Sequence, residues 1–320
     1  MGLLAGLPKL NTLMVTSANG NVFGLSKAMS KILVDGGFEF DFHDAVKAGE
    51  AIATLPRPLR IGVPFDLSMH TDLVTYWLSS FGMQKGVDFQ ILAVPPPLMA
   101  VAINNDELDA FCVGEPWGSM TVERAGASLV LPGSAIWSCA PEKVLAARED
   151  WVVANPEAVS ALMRAVWRAC NWLAQPGNKT MAAELLSPST YLGIGSEIVD
   201  RALSGRFIIN GDGDLRRYDD FIVFDGDSIC FPWRSQGRWI AEGLAKRFDF
   251  ADASSLDEVE DVFRSDLYRD YLTPIGAEMP LHSSKVEGSL AGPMEVPTVS
   301  GSMILNRNRF FDGEIFDPGQ

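Results

Sequence analysis

Metal-binding side chains are scarce in this sequence. Its 320 residues include three histidines and four cysteines, and the cysteines lie far apart without a CxxC pair. Structural metal sites need cysteines and histidines that are clustered at short spacing. The sequence therefore predicts no metal site, and we expect the cysteines to be reduced residues of the core.

Lysine and arginine are also few compared with the acidic residues. The chain has 26 Lys and Arg against 41 Asp and Glu, which gives a formal net charge of −15. Such a field repels nucleic acid and anionic membrane surfaces, so direct binding to either is not expected. A small anion can still bind, because a helix N-terminus and one or two cationic side chains can form a local positive site.

Long apolar runs and the common catalytic motifs are missing as well. No stretch reaches the length of a membrane span, and the N-terminal stretch MGLLAGLPKLNTLM lacks the positive region of a signal peptide. We therefore expect a cytoplasmic protein that does not insert into membranes. The sequence has no GxSxG, HExxH, P-loop or GxGxxG motif, which favours a non-enzymatic protein without a cofactor.

What the sequence does contain is an alternation of apolar runs and helical patterns between residues 59 and 135. The run after Arg60 leads through a polar turn into a helix, and further runs end before Pro95, at Val113 and at Gly133. Strands that alternate with helices predict an α/β fold with mostly parallel sheets and helices on both faces. Ligands of such folds bind beyond the carboxyl ends of the strands.

The flanking segments suggest a second lobe. Helical periodicity and a proline in the first position predict a long helix over residues 156–173, and the C-terminal region is rich in Gly, Pro and Ser. We predict that residues 59–138 form an inserted α/β lobe. Residues 1–58 then start the other lobe, and residues 139–320 return to it as helices and end in an irregular tail.

Five motifs in this order resemble the nitrate- and bicarbonate-binding branch of the type II periplasmic-binding-protein fold. They are LSMHTDLVTYWL, VPPPLMA, LDAFCVGEPWGSM, PEKVLAAREDW and FPWRSQGRW. The resemblance implies two lobes with mostly parallel sheets and a small inorganic anion as ligand. Family members begin with a further strand-helix half-lobe, so the resemblance also implies that the N-terminal part of the family domain is missing here.

The stretches KVEGSLAGP and RFFDGEIFDPG resemble the cytoplasmic nitrate/nitrite sensors of this branch, the NasS type. This resemblance implies a sensor that holds an antitermination protein of the ANTAR class and releases it when nitrate or nitrite binds. Two alternatives stay open. One is the solute-binding component of a nitrate/bicarbonate-type ABC transporter, and the other is a pyrimidine-synthase-like enzyme of the same fold.

His70 and Lys143 are the principal predicted anion ligands. His70 stands in the first turn of a helix that we expect Ser68 to cap, where the helix dipole favours an anion. The resemblance places a ligand-contacting histidine here, with Ser68 and Thr71 in supporting roles, and implies that Lys143 points at the anion. The alternatives are a locally packed histidine and a solvated lysine that starts a helix, or a Lys143 that pairs with a carboxylate such as Glu115.

The acid and indole of the GEPW stretch follow a predicted strand. Glu115 is expected to orient Lys143 or a backbone N–H group, or to fix the loop. Trp117 gives the crevice an apolar wall or belongs to the core.

Three further residues offer donors to an anion. Asn19 and Asn21 can present amide N–H groups, although Asn-Gly is also an ordinary turn sequence. Arg234 either binds an anion bidentately or clamps a carboxylate between the lobes.

Overall fold

The computed structural model describes residues 8–248 and 259–319. The chain divides into two compact units. Unit 1 comprises Met1–Ala18, Pro141–Pro176 and Val223–Gln320, and unit 2 comprises Asn19–Ala140 and Gly177–Ile222.

The elements below are named in chain order. The strands are β1 (Leu10–Asn19), β2 (Asn21–Leu25), β3 (Leu59–Val63), β4 (Phe89–Ala93), β5 (Ala110–Gly114), β6 (Ser128–Pro132), β7 (Pro141–Arg148), β8 (Arg206–Ile208), β9 (Leu215–Arg217), β10 (Ile222–Val223), β11 (Met294–Pro297) and β12 (Ser302–Leu305). The helices are α1 (Lys27–Asp35), α2 (Ala45–Ile52), α3 (Met69–Ser79), α4 (Met99–Asn104), α5 (Trp117–Ala125), α6 (Glu149–Ala154), α7 (Pro156–Ala174), α8 (Lys179–Leu186), α9 (Ser196–Leu203), α10 (Arg234–Phe248) and α11 (Ser265–Leu272).

Unit 2 is built on a five-stranded sheet in the order β4-β3-β5-β2-β6. β3 pairs in parallel with β4 and β5, whereas β2 pairs antiparallel with β5 and β6. Four strands therefore run in one direction and β2 runs against them. The α/β fold class that the sequence predicts is confirmed.

The sheet of unit 2 is buried under closely packed helices. The Phe23 ring meets the Trp77 ring of α3 edge to face at 5.2 Å, and Trp77 Nε1 donates to the carbonyl oxygen of Ala45 at 2.8 Å. This hydrogen bond satisfies the indole inside the core and ties α3 to α2. A Cβ on Gly24 would lie 2.3 Å from the Phe111 ring, so only glycine lets β2 and β5 pack this closely.

Unit 1 contains β1 between β7 and β10, with β1 and β7 antiparallel. Its core includes Leu13 and Met14 of β1, Val159 and Met163 of α7, and Tyr268 of α11. The apolar residues of α7 recur every three or four positions, which is why this helix was predictable over residues 156–173. All four cysteines are free and buried, as predicted.

The C-terminal segment of unit 1 is more regular than predicted. β11 and β12 form an antiparallel pair. The carboxylate of Glu287, which is fully buried, accepts hydrogen bonds from Ser235 Oγ at 2.6 Å and Asn308 Nδ2 at 2.5 Å, and it pairs with Lys285. A buried carboxylate needs such partners, so these contacts fix residues 285–308 against α10.

The units do not coincide with the predicted boundaries at 58/59 and 138/139. Residues 21–25 are fully buried and supply the central strand β2, which brings the segment before residue 59 into unit 2. Residues 177–222 also belong to unit 2, where the Leu129 N–H donates to the Ile209 carbonyl at 2.7 Å. Long-range pairing of this kind leaves no local signal in a single sequence.

In the part of the chain that the structure describes, every helix is too short or too polar to cross a bilayer.

Candidate functional site

Several candidate residues meet at one edge of the unit 2 sheet. The carboxyl ends of β3, β5 and β6 and the amino end of β2 lie at this edge, because β2 runs against its neighbours. We call it the carboxyl edge. Beyond this edge the chain continues into α3 after β3, into residues 115–117 after β5 and into residues 133–135 after β6. Parallel α/β sheets bind their ligands at such an edge.

His70 is buried at the start of α3. The residue is 3% exposed and lies in the first turn, where the backbone N–H groups have no acceptor within the helix. Thr71 is fully buried, and its Oγ1 donates to the Phe65 carbonyl at 3.3 Å. Thr71 therefore holds the loop from β3 to α3 and so supports the position of His70.

Ser68 occupies the N-cap position of α3, but the predicted capping hydrogen bond is wrong. Its backbone is extended (φ −111°, ψ 159°), and its side chain makes no cap contact. The Oγ atom is buried and has no hydrogen-bond partner within residues 8–248 and 259–319. A hydroxyl in this state costs free energy unless a ligand or water satisfies it.

Glu115 caps α5 from the end of β5. Its two carboxylate oxygens accept the Ser119 N–H at 3.1 and 3.2 Å. The residue is partly exposed, but its carboxylate lies deep enough that desolvation raises the pKa to about 7, against the lowering effect of Ser119. The positive charge of Arg201 also lowers the pKa, and Glu123 raises it. Of the predicted roles, the structure shows the contact with a backbone N–H group.

A glycine makes room for the Glu115 carboxylate. A Cβ on Gly118 would lie 2.3 Å from Val22 Cγ2 and 2.8 Å from Glu115 Oε1. Trp117, the first residue of α5, is partly buried beside it. Glu115 and Trp117 therefore follow a strand because helix α5 starts here, at the carboxyl edge. The role of Trp117 as an apolar wall of the ligand crevice stays a prediction.

The Asn19 side chain makes hydrogen bonds to backbone groups of unit 2. The residue is 1% exposed and has a positive φ of 62°. Its Nδ2 donates to the carbonyls of Ser138 at 2.8 Å and Asp220 at 3.4 Å, and its Oδ1 accepts the Ala140 N–H at 3.1 Å. These contacts occupy both ends of the amide. They fit the turn interpretation of the Asn-Gly pair rather than the predicted role as an anion donor.

Asn21 lies at the carboxyl edge as the first residue of β2, and it is fully buried. A Cβ on Gly133 would lie 1.7 Å from Asn21 Oδ1, so the carboxamide packs directly against this glycine.

Ser134 was missed by the sequence reasoning. It follows β6 in a short 3-10 turn, is 2% exposed, and its Oγ has no hydrogen-bond partner among the described residues. The only local signal is a small polar residue after an apolar run. Its burial depends on the pairing of β6 with β2, which the sequence analysis did not foresee.

Lys143 and Arg234 belong to unit 1. Lys143 lies on strand β7 rather than at a helix start, its side chain is 63% exposed, and its Nζ is 2.5 Å from Glu142 Oε1. Lys143 thus pairs with a carboxylate, as one of the alternatives expected, and that carboxylate belongs to the adjacent Glu142. Arg234 Nη1 lies 3.3 Å from Asp261 Oδ1, so its observed partner is a carboxylate of its own unit. Contact of Lys143 with an anion stays a prediction.

The fold is that of the periplasmic-binding-protein-like class, to which known solute-binding proteins belong. The structure is similar to the periplasmic nitrate-binding protein NrtA from Synechocystis PCC 6803, with a TM-score of 0.79 and 25% identity over 97% of this chain and 74% of that one. It shares its fold with the ligand-binding component of an ABC-type import system from Staphylococcus aureus, with a TM-score of 0.55, 13% identity, and coverage of 82% and 75%.

The chain belongs to the NMT1-like family, whose model matches residues 2–187. It is 29% identical to the nitrate/nitrite binding protein NrtA of Synechocystis over 86% of this chain and 58% of that protein. Identity to NrtA of Synechococcus elongatus is 30%, over 81% and 55%. The nitrate import ATP-binding protein NrtC of Synechocystis is 30% identical over 86% and 40%. The chain thus spans little more than half the length of the NrtA relatives, and less of NrtC.

Proposed function

We propose that this chain binds a small inorganic anion, nitrate or nitrite, at the carboxyl edge of unit 2. The observation that carries the proposal is the start of α3, where the buried His70 lies close in sequence to the buried hydroxyl of Ser68. The hydroxyl has no partner among the described residues. The similarity to proteins named for nitrate and nitrite binding supports the same ligand class.

The chemistry of the α3 start suits a weakly basic planar anion. Nitrate accepts hydrogen bonds and offers no proton, so it needs N–H and O–H donors. The first turn of α3 presents backbone N–H groups and the positive end of the helix dipole. Ser68 Oγ can donate to an anion, and so can an imidazole N–H of His70. Burial strengthens each of these contacts because water does not compete.

Calorimetric titration with nitrate, nitrite and bicarbonate tests this site. We expect His70→Ala to weaken anion binding at least about tenfold, which corresponds to the loss of one good buried contact. His43→Ala is the matched control, because His43 is an exposed histidine of the same unit. Equal affinity of both variants and the wild type would show that the anion binds elsewhere. Lys143→Ala then tests the predicted contribution from unit 1.

We further propose that the protein acts as a cytoplasmic sensor that controls an antitermination partner of the ANTAR class. The support is the resemblance of KVEGSLAGP and RFFDGEIFDPG to the sensors of this branch. Nitrate should then lower the affinity of the chain for a purified ANTAR-class protein, measured by surface-immobilised binding. An affinity that nitrate leaves unchanged contradicts the sensor role while leaving anion binding intact.

The transporter alternative has its own support. Similarity to the nitrate import ATP-binding protein NrtC and to bicarbonate transport ATP-binding proteins covers 75% to 86% of this chain. A solute-binding component should bind its anion without any effect of an ANTAR-class protein. Reconstituted nitrate uptake that depends on this chain would favour the transporter role over the sensor.

A further inference from the structure

An open groove of about 520 Å³ lies between α1 and α2 of unit 2. Its floor is apolar and includes Ile32 and Leu33 of α1, Phe38 of the connecting loop and Ala51 of α2. The Phe38 ring packs edge to face on Phe40 at a centroid distance of 4.9 Å. A cavity of this size can hold several side chains of a bound molecule.

The apolar surface continues beyond the groove. Ile32 on the floor is 42% exposed, and Val46, which lies outside the lining and one helical turn before Glu50 on α2, is 43% exposed. Exposed apolar side chains beside an open groove are a feature of contact surfaces. Because the surface is wider than the groove, it suits a macromolecular partner better than a small molecule.

The walls of the groove are acidic. Glu39, Asp41 and Glu50 line it and are exposed, and Glu39 and Glu50 have no ion-pair partner within the described ranges. The lysine of the wall, Lys47, already lies 3.3 Å from the carboxylate of Asp44. The side chains that line the groove therefore carry a net negative charge, which attracts cations.

We propose that this groove docks a partner protein through a segment that carries apolar side chains flanked by lysines or arginines. The apolar side chains remove the floor from water, which supplies affinity, and the cations meet Glu39 and Glu50, which supplies orientation and association rate. A second copy of this chain is a poor occupant, because a twofold dimer would place the same carboxylates face to face. Nucleic acid is repelled by the walls.

This inference goes beyond the proposed anion site. The groove shares no residue with the α3 start, so the groove and the anion site can be tested separately. Variants of Glu39 or Glu50 should leave nitrate binding unchanged in calorimetry.

The probe is a fluorescein-labelled synthetic helix of leucines and lysines, which is titrated with the full chain and followed by anisotropy at low salt. We expect Glu39→Lys combined with Glu50→Lys to weaken binding at least about tenfold. The matched control combines Glu184→Lys with Glu314→Lys, two exposed acids outside the groove, and it changes the net charge equally. We expect this control to change affinity less than about twofold. Ile32→Ser should weaken binding at both low and high salt, because its contribution is apolar.

Three results overturn the proposal. One is equal weakening by both charge-reversal pairs, since binding then follows net charge alone. Another is a wild-type chain that shows no saturable binding of the peptide. The third is a dimer in sedimentation velocity that Ile32→Ser dissociates, because the occupant is then a second copy of this chain.

Discussion

Replacing Glu115 with glutamine should change how the stability of the protein depends on pH. Its carboxylate caps α5 through the Ser119 N–H, and desolvation raises its pKa from the ordinary 4.5 to about 7. A glutamine keeps an oxygen that accepts the Ser119 N–H and removes the titration. The substitution therefore isolates the cost of holding a charged carboxylate at this position.

The sign of the effect follows from proton linkage. Between pH 4.5 and about 7 the folded chain holds a proton on Glu115 that the unfolded chain has released. The free energy of unfolding therefore falls as the pH rises through this interval. At about 1.4 kcal/mol for each pH unit, the interval from 4.5 to about 7 corresponds to at most about 3 to 4 kcal/mol. Above pH 7 the Glu115 carboxylate is charged in the folded chain, and the full cost of its burial lowers the free energy of unfolding.

The assay is urea unfolding of the wild type and Glu115→Gln at several pH values from 5 to 9, followed by tryptophan fluorescence. We expect the difference in the free energy of unfolding to shift in favour of the variant by about 2 to 3 kcal/mol across this range. Glu184→Gln, an exposed acid of α8, controls for the loss of one negative charge. Parallel pH curves for the wild type and Glu115→Gln would refute the argument, because the carboxylate would then be as well solvated in the fold as in the unfolded chain.

Two further predictions concern the carboxyl edge. Gly133→Ala places a Cβ about where Asn21 Oδ1 now lies, 1.7 Å away, and should destabilise unit 2 by about 1 to 3 kcal/mol in thermal unfolding, whereas Gly177→Ala meets open space and serves as the control. If Gly133→Ala has no effect, the Asn21 carboxamide is free to move aside. Nitrate affinity should rise as the pH falls from about 8 to 6, because protonation of Glu115 removes a negative charge at the sheet edge where the anion site is proposed. Calorimetry on Glu115→Gln should show a flatter pH dependence, and identical slopes would show that the carboxylate does not influence the anion.

Elements with a local pattern could be predicted from the sequence. The helix predicted over residues 156–173 is α7, because a proline in the first position and apolar residues at helical spacing specify it without reference to other segments. β2 was missed as part of the inserted lobe. Its sequence NVFGL has five buried residues and no alternation, and its place between β5 and β6 is set by pairing across about 85 to 110 residues. That pairing decides the unit boundaries.

Within the candidate site, too, roles with a local sequence pattern were predictable, and roles that depend on long-range contacts were not. The position of His70 at a helix start was readable from the residues around it. Thr71 Oγ1 donates to the Phe65 carbonyl, and its supporting role at an anion site stays a prediction. The capping role of Ser68 was wrong because sequence identifies the N-cap position but not the rotamer of its hydroxyl. Asn19 was assigned to an anion although its three partners lie 119 to 201 residues away along the chain. Only the folded chain reveals that its amide is already occupied.

Net charge has opposite consequences for the two proposed binding surfaces. At the start of α3 the backbone and hydroxyl donors are neutral dipoles held in a buried position, so the carboxylates of distant surface residues, whose field salt screens within about 10 Å, have little effect on a small anion. The α1–α2 groove lies at the surface, where its own carboxylates dominate the local charge. A large partner must therefore be positively charged where it contacts the groove. One acidic chain can therefore hold an anion inside unit 2 and attract a cationic protein outside it. Raising the salt concentration should weaken the second interaction far more than the first, and equal salt dependence would contradict this separation.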